Sequence, residues 1–245
     1  MTVWHPLPER YLLSEDDVHV WRIELVQSDA VVERLYSLLS ADELAKANRY
    51  RFEKDRRAYT VGRGALRILL GRYLEVPPRE LRFVYGEHGK PMLDPEARHG
   101  TVPFNLSNSK DLALVGITLN REIGVDLEYG RDLSDMEMIV ERFFSQGEID
   151  VLLNLPQEQR HAAFYECWSR KEAYLKALGS GLAQPLGSFT VTLAPGEPAR
   201  LLDVVDDPAE VRRWGMQELD VHPEYGAAIC VEGQEFELKC FEWRP

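Results

Sequence analysis

Apolar and polar positions along the chain fall into an order of patterns that occurs twice. Leu38-Leu39-Ser40-Ala41-Asp42-Glu43-Leu44 and Phe143-Phe144-Ser145-Gln146-Gly147-Glu148-Ile149 both set two apolar residues before Ser-x-x-Glu and an apolar residue after it, 105 positions apart. Each predicts a helix opened by a capping box, in which the serine hydroxyl covers a free backbone N–H and the glutamate reaches back to the serine amide. Downstream, Arg63 to Gly71 and Lys171 to Gly179 close long helical patterns 108 positions apart, each at a glycine suited to a left-handed helix end. A short Pro-containing loop follows each glycine, and then an alternating stretch, Leu81 to Tyr85 in one half and Phe189 to Leu193 in the other. Alternation of this kind predicts a half-buried strand. Three matches in one order at nearly constant offset point to a duplication. Asp111 to Thr118 and Ile123 to Leu127 read as strands flanking a turn at Asn120-Arg121, and Ala227 to Val231 and Phe236 to Phe241 as closing strands. The expected architecture is α+β in two lobes, 1–121 and 122–245, each with helices packed on a small antiparallel sheet, and with a ligand site at their interface.

Composition narrows the class. At 245 residues, with 44% hydrophobic and 29% charged positions, the chain has the apolar content of a soluble globular protein. The opening MTVWHPLPERYLL lacks a basic segment followed by an apolar one, and the longest apolar-leaning stretch, Leu112 to Leu119, is too short to span a bilayer. A cytoplasmic location and no membrane association are therefore expected. Cys167, Cys230 and Cys240 form no CxxC pair and the histidines show no HExxH spacing, which argues for buried thiols rather than a disulfide framework or zinc site. A net charge of −12 speaks against nucleic acid as a partner. The charge is uneven, however. Positions 46 to 72 hold nine basic residues, among them Lys46, Arg57, Arg63 and Arg67, against Glu53 and Asp55, a local +7 that suits a small polyanion as well as a solvated helix face.

Four elements carry candidate chemistry. In Gly124-Val125-Asp126-Leu127-Glu128 the two carboxylates lie at i and i+2, on one face of a strand. Paired charges there fit a hard cation such as Mg2+, and taken alone they fit a solvated face too. Trp168, Glu172 and Lys176, four residues apart, form one stripe on a predicted helix, either an ordinary Glu-Lys pair or a partly buried acid and base. Phe104-Asn105-Leu106-Ser107-Asn108-Ser109 reads as a polar turn leading into a strand, and Gly86-Glu87-His88-Gly89-Lys90-Pro91 as a loop that presents a lysine.

In combination and order, Gly89-Lys90-Pro91, Phe104 to Ser109, Gly124 to Glu128, Phe143 to Glu148 and Trp168 to Lys176 resemble the 4′-phosphopantetheinyl transferases of the Sfp type. The resemblance runs from about Ser40 to Val191, and the first 35 and last 50 residues carry little of it. It implies a pseudo-twofold, two-lobed fold and Mg2+-dependent transfer of phosphopantetheine from coenzyme A, the co-substrate, to a serine of an acyl or peptidyl carrier protein, releasing 3′,5′-ADP. Asp126, Glu128 and Glu172 are then expected to hold the metal, Glu172 to act as base and Lys176 to assist the leaving group. Lys46, Arg57, Lys90, Pro91, Ser107 and Asn108 are expected to bind coenzyme A. One position departs: the family has histidine where this chain has Asn108, which donates a hydrogen bond but carries no charge. Lys110 or an arginine of the basic helix is a candidate to compensate. Ile149, Leu152 and Leu153 are candidates for carrier contact, and a monomer is expected because one chain supplies both lobes. The alternatives are a catalytically silent coenzyme A or carrier-binding homologue and another Mg2+-dependent phosphotransferase, the latter without a GxxxxGK[ST] loop here.

Overall fold

Both predicted capping boxes form, and each does more than start a helix. In the computed structural model, which describes residues 2–8, 10–98, 100–179 and 184–245, the amide of Ser40 donates to Glu43 at 2.9 Å and that of Ser145 to Glu148 at 2.8 Å. Each glutamate is fully buried and pairs with the long helix that follows it in the chain, Glu43 with Arg63 and Arg67, Glu148 with Lys171 at 2.7 Å. Arg63 and Lys171 open the two segments matched at an offset of 108, so the internal repeat extends to a buried ion pair. The same pairing corrects the basic stripe: Arg63 and Arg67 turn inward to neutralise a buried carboxylate and leave the solvated face.

In chain order the elements are β1 (Trp4–His5), β2 (Asp17–Glu24), α1 (Asp29–Tyr36), α2 (Ala41–Ala47), α3 (Glu53–Tyr73), β3 (Phe83–Tyr85), β4 (Pro91–Leu93), β5 (Phe104–Ser109), β6 (Leu112–Thr118), β7 (Ile123–Tyr129), α4 (Met136–Phe143), α5 (Gln146–Asn154), α6 (Gln157–Leu178), β8 (Phe189–Val191), β9 (Leu201–Val204), α7 (Glu210–Arg213), β10 (Trp214–Glu218), β11 (Tyr225–Glu232) and β12 (Glu237–Glu242). The protein is α+β, as expected. A five-stranded sheet of order β1-β12-β2-β6-β5 and a three-stranded sheet of order β10-β11-β7 form its centre. The first is mixed rather than purely antiparallel, because β12 from the chain's end inserts parallel between β1 and β2. No helix among the described residues is long and apolar enough to cross a membrane.

Alternation sets the layers. Val18 and Val20 of β2, Leu114 of β6, Ile123, Val125 and Leu127 of β7 and Ile229 and Val231 of β11 form one apolar cluster that joins the two sheets. Opposite parity in β2 and β6, with Trp21, Ile23, Val115 and Ile117, packs against Leu66, Leu69 and Leu70 of α3. Ala228 and Cys230 of β11 join the cluster of α6, with Phe164, Tyr174 and Leu175. The order of layers is therefore α3, first sheet, second sheet, α6. Gly124, Asp126 and Glu128 share the opposite parity of β7 from its apolar residues.

Two expectations change in detail. Gly71 does not end its helix: α3 runs on to Tyr73, and the glycine is required because a Cβ there would lie 2.7 Å from the carbonyl of Val76. Gly179 does end α6, with φ of +68°, while part of the loop expected after it, 180–183, lies outside the described residues. Phe104 to Ser109 is a strand throughout and not a turn, paired along its length with β6.

Of the described glycines, the one with least room for a side chain lies where α6 meets the second sheet. A Cβ on Gly124 would fall 2.0 Å from the carbonyl oxygen of Ala173 and 2.4 Å from the amide nitrogen of Ala177. Gly124→Ala is expected to destabilise by about 3 kcal/mol or more, the upper end for overpacking, since rigid backbone must move. Chemical denaturation followed by circular dichroism reads this directly; an unchanged midpoint would show that α6 can shift freely.

Candidate active site

Two sheet edges meet where the predicted residues gather. β5 ends the first sheet and β7 the second, and side chains of β5 stand in for a ladder between them. Asn105 Oδ1 accepts from the Val125 amide at 3.0 Å and Ser109 Oγ from the Tyr129 amide at 3.1 Å. Buried edge amides need such partners. Asn105, Ser107 and Ser109 share the face of β5 opposite Phe104 and Leu106, which pack in the α3 core. This explains the polar run that resembled a turn.

Asp126 is 2% exposed, and its Oδ1 accepts from Lys176 Nζ at 2.6 Å and Ser107 Oγ at 3.0 Å. Lys176 also donates to Ser107 Oγ at 2.8 Å, which closes a three-membered cluster between β5, β7 and α6. Ser107 is thus engaged with the carboxylate. Glu128 accepts from Ser109 Oγ at 2.9 Å. Glu172 and Lys176 line a cavity of about 260 Å³ together with His88, Lys90, Pro91 and Asn105. Lys90 is anchored there by Glu122 at 3.1 Å and by the carbonyls of Ile123 and Ala177.

The remaining candidates lie on the far side of β5. Asn108 is exposed and faces a second cavity, of about 430 Å³, with Arg57, Lys54, Lys110, Tyr50 and Tyr59. Arg57 pairs with Asp29 at 2.7 Å and donates to the Gln27 carbonyl. Lys46 sits over the Tyr59 ring at 5.5 Å. Ser107 and Asn108, adjacent in sequence, therefore serve different sides of one strand. Among the apolar candidates, Leu152 is core at 1% exposure and Ile149 packs against the same core, which leaves Leu153 exposed. Asn105 and Ser109 were not singled out from the sequence as site residues; the signal for both was their shared parity with Ser107.

Electrostatics mark the carboxylates as a unit. Burial, and then the charge of Asp126, pushes the Glu128 carboxyl above the ordinary glutamate range, and the same two causes raise that of Glu172. Asp126 Oδ2 is buried with no hydrogen-bond partner. An anionic, oxygen-only donor set with an orphaned buried oxygen fits a hard cation such as Mg2+, which retains waters and takes other ligands from phosphates. The set is not a closed cage: among the described residues no three His, Cys, Asp or Glu side chains are gathered as a complete metal site.

A raised carboxyl means that the folded protein favours the protonated form, so stability is present at low pH and is lost as pH rises through the shifted value. Ionised Glu128 is then a cost at neutral pH in metal-free buffer. Glu128→Gln is expected to melt above wild type at pH 7.5 with chelator present, and the gap to close below the carboxylate range. Calorimetry that found the variant less stable at pH 7.5, or a gap independent of pH, would contradict the arrangement.

Residues 122–230 match the family model described as 4'-phosphopantetheinyl transferase superfamily, and residues 27–118 the model described as 4'-phosphopantetheinyl transferase, N-terminal. The chain belongs to the 4'-phosphopantetheinyl transferase superfamily. It is 42% identical over 242 residues to 4'-phosphopantetheinyl transferase HetI of Nostoc sp., covering 99% of this chain and 96% of that protein. It is 30% identical over 207 residues to 4'-phosphopantetheinyl transferase Sfp of Bacillus subtilis, covering 83% and 87% of the two. A solved holo-[acyl-carrier-protein] synthase of Thermotoga maritima superposes with a TM-score of 0.37 at 21% identity over 46% of this chain and 64% of that one.

Proposed function

We propose that this protein transfers the 4′-phosphopantetheine group of coenzyme A to a serine of an acyl or peptidyl carrier protein and releases 3′,5′-ADP. The observation that carries the reading is the seam between β5, β7 and α6, where Glu172 and Lys176 line one cavity with Asp126 buried behind them. The lobes 1–121 and 122–245 supply its two sides, with Ser107 and Lys90 from the first and the acidic residues from the second.

Asp126, Glu128 and Glu172 would hold Mg2+, which when bound neutralises charge on the pyrophosphate. Glu172 accepts the proton of the carrier serine, and its raised carboxyl makes it a better proton acceptor than an ordinary glutamate. The serine oxygen bonds to the β-phosphorus as the bond to the bridging oxygen breaks. Lys176, with 29% of its side chain exposed, stabilises or protonates the departing 3′,5′-ADP oxygen. Ser107 holds Asp126 in place, and Lys90, Pro91, Asn108, Arg57 and Lys46 orient the nucleotide, which is where much of phosphoryl-transfer catalysis originates.

The test is mass spectrometry of an apo carrier protein incubated with coenzyme A, Mg2+ and this protein. A gain of about 340 Da, the mass of the phosphopantetheine group, with a metal-dependent rate is expected. Coenzyme A binding without any gain across several acyl and peptidyl carriers would overturn the reading in favour of a silent binding protein.

A further inference from the structure

Two rows of polar side chains meet in register at the seam between the sheets. Ser107 and Ser109 stand two residues apart on β5, and Asp126 and Glu128 two residues apart on β7, so each row projects to one face of its strand. The rows pair one to one: the Ser107 hydroxyl donates to Oδ1 of Asp126 at 3.0 Å, and the Ser109 hydroxyl to Oε2 of Glu128 at 2.9 Å. Each carboxylate thus has one oxygen held by a hydroxyl of β5 and the other left for a ligand; in Asp126 that other oxygen, Oδ2, is buried without a partner.

The two rungs are not equivalent. Asp126 Oδ1 is also held by Lys176, at 2.6 Å. Among the described residues, the Glu128 side chain accepts a hydrogen bond from Ser109 alone. Chemistry fixes the roles in this rung. A serine hydroxyl has one proton, and the Tyr129 amide, 3.1 Å away, can only donate, so the hydroxyl accepts from the amide and its proton is left for Glu128. Because Tyr129 follows Glu128 in the chain, amide, hydroxyl and carboxylate close a clamp that holds the glutamate against its own strand. A free glutamate side chain would have to be ordered by the cation it binds, at an entropic cost to affinity. Under the function proposed above, on which this inference rests, Glu128 is one of three carboxylates that take Mg2+. We infer that Ser109 is a positioning residue for that cation, acting through Glu128 by holding Oε2 and leaving Oε1 free for the metal.

The same hydroxyl covers the Tyr129 amide, so its loss lowers stability in any case; a purely structural role predicts that and nothing more. Mn2+, which favours the same oxygen ligands, is the probe. It is titrated into wild type, Ser109→Ala and Ser109→Thr without coenzyme A, well below their melting temperatures, and the free ion is followed by electron paramagnetic resonance. Ser109→Ala is expected to weaken Mn2+ about tenfold or more, as for loss of a partner behind a metal ligand, and threonine, which keeps the hydroxyl, to bind as wild type does. In carrier modification, the Mg2+ concentration giving half-maximal rate should rise in Ser109→Ala by more than the rate at saturating Mg2+ falls. A Ser109→Ala affinity close to that of wild type, or a threonine variant as weak as alanine, overturns the inference and leaves the proposed metal site standing. No Mn2+ binding by wild type overturns both. Binding of Mn2+ that depends on Ser109, with no carrier modification, would instead overturn the proposed reaction and leave the role of Ser109 intact.

Discussion

Glu172→Gln is expected to slow carrier modification about 10²–10⁴-fold, the range for loss of a general base, with the fold intact. Glutamine keeps the volume and one acceptor oxygen of the side chain but takes up no proton and carries no charge. Glu172 is poised for the task by its position on α6, one turn before Lys176 and on the same cavity wall. Burial and the neighbouring Asp126 raise its carboxyl, so the folded protein holds it ionised at a cost. Removing that charge should therefore lower activity and raise the melting temperature of the metal-free protein together. This opposition separates a functional carboxylate from a structural one, because loss of a structural partner lowers both. Single-turnover mass spectrometry of the carrier and a thermal melt of the same preparation measure the two. Activity within threefold of wild type would remove Glu172 from the chemistry.

What the sequence revealed and what it hid follow one physical divide. Local patterns were legible. The boxes at Ser40 and Ser145, the carboxylates of β7 at i and i+2 and the helical spacing of Glu172 and Lys176 depend on neighbours within a turn or a strand, and all are present in the fold. Long-range pairing was not. The parallel insertion of β12 beside β2 joins residues more than 200 positions apart, and nothing in either segment announces its partner. The run Asn105, Ser107, Ser109 resembled a turn because strand faces are normally apolar when buried. Here the buried face meets the edge of a second sheet and its carboxylates, and needs donors and acceptors instead. The basic stripe misled for the converse reason: Arg63 and Arg67 look like surface charge until Glu43, twenty and more residues earlier, is known to be inside with them.

The same divide separates two lysines of one motif. Lys171 and Lys176 lie five residues apart on α6, which puts them on different sides of the helix. Lys176 points to Asp126 with 29% of its side chain exposed; Lys171 is fully buried and donates to Glu148 at 2.7 Å and to the Phe189 carbonyl at 2.7 Å. Glu148 also accepts from the amides of Ser145 and Val191. Lys171→Met would leave this carboxylate buried with amide donors but without its counter-charge, at a cost of about 3–5 kcal/mol. At about 2–4 °C per kcal/mol for a chain of this size, the melting temperature should fall by about 10 °C. Adding Glu148→Gln to Lys171→Met should recover part of the loss, because the glutamine oxygen still accepts from those amides and no charge remains unpaired. Below the transition the folded Lys171→Met protein should transfer phosphopantetheine at a rate near that of wild type, whereas Lys176→Met should be slow, with a smaller loss of stability than Lys171→Met because Lys176 is 29% exposed and Asp126 keeps the Ser107 hydroxyl. Paired melts and initial rates of the two variants decide it: equal effects on rate, with stability unchanged in both, would mean that Lys171 leaves its buried pair to take part in the reaction.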